Sequence, residues 1–242
     1  MRVEDVFPET VRPVRRPWLV QSWRDLAFLH WAVPPETVAP LLPAGSGPDT
    51  LGGVTYVGLI GFRMVGLGLL RGPGLPWLGT FCETNVRLYS VDGQGRRAVV
   101  FRSLDAERLI PVLTAQATLR LPYKWSRMRL RKDGDLVRYT CRRRPSGPSS
   151  DFSVRVGAPI PGPTALEFFL TARWGLHTRA WGRTLHLPNE HPRWPLHRAE
   201  LVDLHDELVP AAGLPAPVRP PDSVLYSPGV PVTFGAPGVA AR

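Results

Sequence analysis

Cysteine is nearly missing from this chain. Cys82 and Cys141 are the only two, they stand far apart, and neither has a C-x-x-C partner. A disulfide framework and a cysteine zinc site are thereby excluded, and a reducing compartment fits. Lysine is equally scarce: Lys124 and Lys132 stand alone beside 28 arginines out of 30 basic residues. The net charge of +10 raises the question of nucleic acid. Arginines scattered from Arg2 to Arg242, however, reflect genomic base composition as readily as a binding surface. No long apolar run occurs either. The most membrane-like stretch, Val54 to Leu70, is broken by Arg63 and four glycines and falls short of the ~20 residues a span needs. The N-terminus carries Glu4 and Asp5 where a signal peptide would carry a basic and then an apolar region. The expectation is a soluble cytoplasmic protein without a membrane partner.

Familiar catalytic and nucleotide motifs are absent too. There is no G-x-S-x-G elbow and no P-loop. Gly66-x-Gly68-x-x-x-Gly72 follows a strand, but Pro73 and Pro76 forbid the helix a dinucleotide fingerprint must lead into. His186, His191, His197 and His205 lie near Glu190, Glu200, Asp203 and Asp206. Their spacing matches no standard metal pattern, and Pro188, Pro192 and Pro195 interrupt the segment, so surface or hydrogen-bonded histidines are expected, with no metal and no cofactor.

What the sequence does have is punctuation. Its 28 prolines and 23 glycines are spread along the whole length, which implies many short elements in one domain over residues 1–242 and excludes a helical bundle. Trp23 to Trp31 reads as a strand, followed after Pro34-Pro35-Glu36 by a short helix to about Leu42. Val54 to Val65 is the next strand, and residues 66–78 read as a long exposed loop. Thr80 to Val91 alternates, with Cys82, Thr84, Val86 and Leu88 on one face and Glu83, Asn85, Arg87 and Tyr89 on the other. A turn at Asp92-Gly93-Gln94-Gly95 leads back through Arg97 to Leu104. Asp105 is placed to cap a helix reaching about Leu119. Arg127 to Arg131 and Asp135 to Arg143 form a second hairpin around Asp133-Gly134, Ser150 to Val156 a further strand, and Thr164 to Leu176 a helix whose Thr164 and Glu167 make a capping box. Arg198 to Leu204 and Val224 to Phe234 complete the strands, with an irregular proline-rich stretch, Ala211 to Pro221, between them. The fold class is therefore mainly β with a few helices, and the lack of βαβ alternation excludes a doubly wound sheet.

Two segments are specific: Phe81-Cys82-Glu83-Thr84-Asn85-Val86-Arg87-Leu88-Tyr89 and Leu121-Pro122-Tyr123-Lys124-Trp125-Ser126-Arg127-Met128. Both resemble signature motifs of the YqjF-like family of uncharacterised bacterial proteins, a distant relative of acetoacetate decarboxylase. The likeness extends in the family's order to Phe28-Leu29-His30-Trp31, Ser103-Leu104-Asp105-Ala106, Leu166-Glu167-Phe168-Phe169-Leu170-Thr171 and Trp194-Pro195-Leu196. It implies bent antiparallel sheets closing into a cone-like β-barrel around a pocket, with a few peripheral helices. Acetoacetate decarboxylase attacks a ketone with a lysine of a Gly-Phe-Pro-Lys-Lys motif. On Arg120-Leu121-Pro122-Tyr123-Lys124 the nucleophile's position is Tyr123, and Lys124 matches only the second, pKa-tuning lysine.

Tyrosine forms no imine, and adjacent strand residues face opposite ways, so Schiff-base decarboxylation is not expected. The enzyme's active-site glutamate matches Glu83. If the Glu83 face points to water, its side chains are merely solvated; if it points into the barrel, each polar group needs a partner. The leading expectation is a small-molecule binder or enzyme with Glu83 as acid, base or acceptor, Arg87 holding an anionic group, and Asn85 and Tyr123 hydrogen bonding an anionic or carbonyl-containing ligand. A Schiff-base lyase using Lys124 is one alternative. The other is a nucleic-acid or interaction module on the hairpin 120–144, whose ten Lys and Arg residues lack base-reading or stacking patterns, so no specific nucleic acid is expected. A homo-oligomer is compatible with this reading.

Overall fold

A computed structural model describes residues 3–69, 72, 77–109 and 120–240. Its strands are β1 Leu19–Val33, β2 Ser46–Pro48, β3 Thr55–Leu69, β4 Phe81–Asp92, β5 Arg97–Ala106, β6 Tyr123–Asp133, β7 Leu136–Arg143, β8 Ser149–Pro159, β9 Gly175–Ala180, β10 Arg183–Glu190, β11 His197–Asp206, β12 Ser223–Phe234 and β13 Gly238–Val239. The helices are short: α1 Pro35–Val38 with a 3-10 turn at Ala39–Leu41, α2 Ala165–Thr171 and α3 Leu208–Ala211.

Turn chemistry sets the two hairpins that matter. Asp92 Oδ1 accepts from the backbone N–H groups of Gln94 and Arg96 at 2.9 and 3.0 Å, and Gly95 takes φ 79°, so the chain reverses from β4 into β5. Gly134 at φ 56° does the same between β6 and β7. In α2 the capping box forms as the sequence indicates, Thr164 and Glu167 bonding reciprocally.

The pairings close twice. One edge of β5 is taken by β4, while the other meets β9 at Val99 and β6 at Leu104–Ala106. Likewise β12 pairs along β1, and its other edge meets β11 at Leu225–Tyr226 and β10 at Thr233–Phe234. The shared sheet β12-β1-β3-β4-β5 is therefore closed through β6, β7, β8 and β11 into a nine-stranded mixed barrel, and again through β9 and β10 into a smaller ring.

Each face of the shared sheet has its own core. Ala27, Leu29 and Trp31 of β1, Val57 and Leu59 of β3, and Val86 and Leu88 of β4 pack against Val137, Tyr139, Phe152 and Val154 of β7 and β8 inside the nine-stranded barrel. Each such fully buried aliphatic or aromatic side chain contributes roughly 1.5–3 kcal/mol. The layers touch at Gly61, where an added Cβ would lie 2.6 Å from the Tyr139 ring. Alternate residues of the same strands face the other way into two further clusters: Phe28 and Ile60 with Phe62, Phe81, Ile160 and Leu196, and Tyr56 with Phe169 and Leu170 of α2 and Leu176 and Leu187 of β9 and β10.

Four expectations are corrected. Residues 66–69 belong to β3, because Gly68 and Leu69 pair with Val20 and Leu19 and Gly66 turns the strand at φ 67°; residues 70–71 and 73–76 of the expected loop lie outside the described residues. Asp105 caps no helix: it is inside β5, fully buried, and bonded to Ser126 and Arg143; most of the expected helix, residues 110–119, lies outside the described residues. Helix α2 stops at Thr171, because the chain must turn at Arg173–Trp174 to enter β9. The proline-broken histidine segment begins inside β10, where buried His186 pairs with His177 of β9 and Pro188 lies opposite Gly175, and its later part, His197–Asp206, is β11.

Candidate functional site

Strand β4 lies between β3 and β5, and both its faces are covered. Glu83, Asn85 and Tyr89 are buried and Arg87 is half-buried, so this face is not solvated, and it lies on the side of β4 away from the Val86–Leu88 core of the nine-stranded barrel.

At one end of this face Glu83 is 3 % exposed, and its Oε2 accepts from the Tyr123 hydroxyl at 3.1 Å. Tyr123 reaches it because β6 starts parallel to β5, with Leu104 opposite Tyr123 and Ala106 opposite Glu83. Burial pushes the Glu83 carboxyl up to about 8, and the Asp105 charge adds to this, against the hydrogen bonds from Tyr123 and Asn85. Glu83 is thus mostly a neutral acid at pH 7. Burial likewise holds the Tyr123 phenol well above its ordinary range, with the Glu83 charge acting in the same direction. Asn85, whose amide bonds Glu83, has a buried Oδ1 with no partner among the described residues.

At the other end a second polar group forms around Arg87. Its Nε donates to the Tyr89 hydroxyl at 3.1 Å and one Nη to the Leu170 carbonyl at 2.8 Å. Tyr89 donates its proton to the same carbonyl at 3.0 Å. Its oxygen is then left to accept, so His30 Nε2, 2.6 Å away, must carry a proton and His30 Nδ1 none. Burial, with the charges of Arg87 and Arg173, keeps His30 well below its ordinary value, hence neutral. Gly58 lets His30 and Arg87 meet across β3, since a Cβ there would lie 3.0 Å from the imidazole and 3.2 Å from Arg87 Cγ. The Arg87 guanidinium also lies 5.5 Å from the Phe28 ring centre. Behind this group the buried Arg173 is sandwiched by Tyr89 and Phe169, at 4.6 and 4.2 Å, and pairs with Asp49, which also takes Arg97.

Of the residues singled out from the sequence, Glu83, Asn85 and Tyr123 meet directly, while Arg87 shares their face about 13 Å along the strand from Glu83 at ~3.3 Å per residue. Lys124 is exposed, across the strand from buried-hydroxyl Tyr123. The basic hairpin is an outer sheet surface: Arg127, Arg129 and Arg131 are exposed, Met128 and Leu130 pack inward, and the neighbouring Arg138 and Arg155 are neutralised by Asp151 and Asp135. Arg173 and Asp49 were not singled out, and 124 residues separate them. His30 was visible only as the polar member of Phe28-Leu29-His30-Trp31. Among the described residues no three His, Cys, Asp or Glu side chains converge as metal ligands, and no helix is long and apolar enough to cross a membrane.

Residues 20–231 match the sequence profile of the DUF2071 family, described as "Uncharacterized conserved protein". The uncharacterized protein YqjF of Bacillus subtilis (strain 168) is 28 % identical over 208 residues, 84 % of this chain and 86 % of YqjF. Among solved structures, the enduracididine biosynthesis enzyme MppR complexed with pyruvate superposes with a TM-score of 0.64 at 14 % identity, over 96 % of this chain and 92 % of MppR. Acetoacetate decarboxylase from Legionella pneumophila superposes with a TM-score of 0.61 at 14 % identity, over 100 % of this chain and 91 % of the enzyme.

Proposed function

The chain belongs to the DUF2071 family, with YqjF as a relative and an acetoacetate-decarboxylase-like fold, and we propose that the polar face of β4 binds a small carbonyl-containing carboxylate. The observation that carries this reading is the Glu83–Tyr123 pair, a buried acid mostly neutral at pH 7 with a phenol donating to it. Such an acid donates a hydrogen bond or a proton to a ligand carbonyl. Arg87, at the far end of the same face, supplies positive charge that favours an anionic ligand without contacting one seated at Glu83, and Asn85 Oδ1 accepts from a ligand hydroxyl or enol.

Two points of the fold's known members support a ligand of this class: one neighbour is described with bound pyruvate, and others are acetoacetate decarboxylases. The imine chemistry does not carry over. By the motif resemblance Tyr123 takes the position of the nucleophilic lysine, and Lys124 is exposed. The protein is accordingly a binder or a non-imine catalyst acting through Glu83 and Tyr123. The test is thermal stabilisation by a panel of 2-oxo and 3-oxo acids. Stabilisation of the wild type that is lost in Glu83→Ala and Arg87→Gln supports the reading. Equal stabilisation in all three proteins sinks it.

A further inference from the structure

A different place for a small molecule lies where β5 parts from its neighbours. Among the described residues β9 meets β5 only at Val99 and β6 only at Leu104–Ala106, so the β5 edge between them is left without a strand. The gap is a depression of about 220 Å³ with an apolar floor that includes Leu42, Pro43, Phe101 and Leu121. Two arginines line it, Arg120 just before β6 and Arg179 on β9. Both are exposed, and among the described residues neither side chain has an ion-pair partner. Arg138, Arg155 and Arg219 are paired, with Asp151, Asp135 and Asp222, while Arg127, Arg129 and Arg131 on the outer hairpin are unpaired as well among the described residues; what sets Arg120 and Arg179 apart is that both line one depression. None of its described lining residues is a carboxylate. The acid nearest its His177 wall, Asp92, is engaged by Arg96 and His177.

We propose that this fork in the sheet binds a short alkyl carboxylate, its head held between Arg120 and Arg179 and its tail laid on Phe101, Leu42 and Leu121. The charge is fixed by chemistry: two cations over an apolar floor with no acid beside them take an anion whose remainder is apolar. The size is fixed by the volume. At about 220 Å³ the depression lies below the roughly 300–1,000 Å³ of drug-sized sites, which points to a short chain. The site is separate from the Glu83 face and does not rest on the reading given for it.

Isothermal titration with butanoate, hexanoate, octanoate and dodecanoate, each below its micellar concentration, tests the assignment. Affinity rises about fourfold per methylene to octanoate, the equivalent of burying one CH₂, and levels off by dodecanoate. Hexylamine and hexanol bind at least tenfold more weakly than hexanoate. The double variant Arg120→Gln/Arg179→Gln, at exposed positions, keeps the wild-type melting temperature and loses at least tenfold in octanoate affinity. Absence of octanoate binding, affinity that ignores chain length or charge, or an unweakened double variant overturns the proposal. Pyruvate does not compete with octanoate; full competition would place both on one site and overturn the separation.

Discussion

Replacing Glu83 by glutamine isolates the buried carboxyl by its pH signature. An ordinary value of 4.5 raised to about 8 in the fold means that between these limits the folded state holds a proton the unfolded state has released. Stability from this group is therefore complete below pH 4.5 and is lost as pH rises through 8. The loss is about 1 kcal/mol at pH 5, about 3 at pH 7 and about 4 at pH 8. Glutamine keeps the shape and does not titrate. Urea unfolding of both proteins at pH 5, 6, 7 and 8, read through near-ultraviolet circular dichroism, gives the difference directly. Glu83→Gln gains about 3 kcal/mol on the wild type between pH 5 and 8. A difference constant within 1 kcal/mol across that range refutes the reasoning and means that Glu83 is ionised in the fold.

Burial holds His177 at about 4, His186 at about 3 and His191 at about 4; their depressed values give stability that is present above pH 6.5 and lost as pH falls toward 4. On a Glu83→Gln background these three histidines together remove up to about 6 kcal/mol between pH 7 and 5, and His186→Phe recovers about 2 kcal/mol of it; no loss over that interval contradicts the assignment. Asp49→Ala leaves Arg173 and Arg97 without their shared carboxylate and costs about 3–5 kcal/mol in urea unfolding, whereas Asp49→Leu with Arg173→Met costs less than the single change; the reverse order means the pair is not coupled. Borohydride reduction with acetoacetate or pyruvate, followed by peptide mass spectrometry, leaves Lys124 no more modified than Lys132. Selective trapping on Lys124 reinstates the lyase.

Strand periodicity made most of the barrel legible, and with it the Glu83 face, since residues two apart on β4 had to share a side. What periodicity could not tell was which side met water: both faces of β4 are buried because the sheet closes twice, and the second closure, by β9 and β10, hides among prolines that read as breaks. Asp105 read as a cap because its chemistry suits one; its fully buried place beside Ser126 and Arg143 depends on β6 and β7, which lie further along the chain. Tyr123 was found through its motif, and the motif match together with strand alternation left Lys124 as the alternative rather than the leading reading. The Arg173–Asp49 pair had no local signal, because long-range ion pairs are made by topology.

The central claim, that the Glu83–Arg87 face binds a small carbonyl carboxylate, is tested most directly by calorimetric titration of pyruvate and acetoacetate into the wild type, Glu83→Ala, Arg87→Gln and Lys124→Gln at pH 7. The account predicts binding of at least one ligand to the wild type, weakened tenfold or more in the first two variants and unchanged in Lys124→Gln. Absence of binding, or a loss confined to Lys124→Gln, contradicts it.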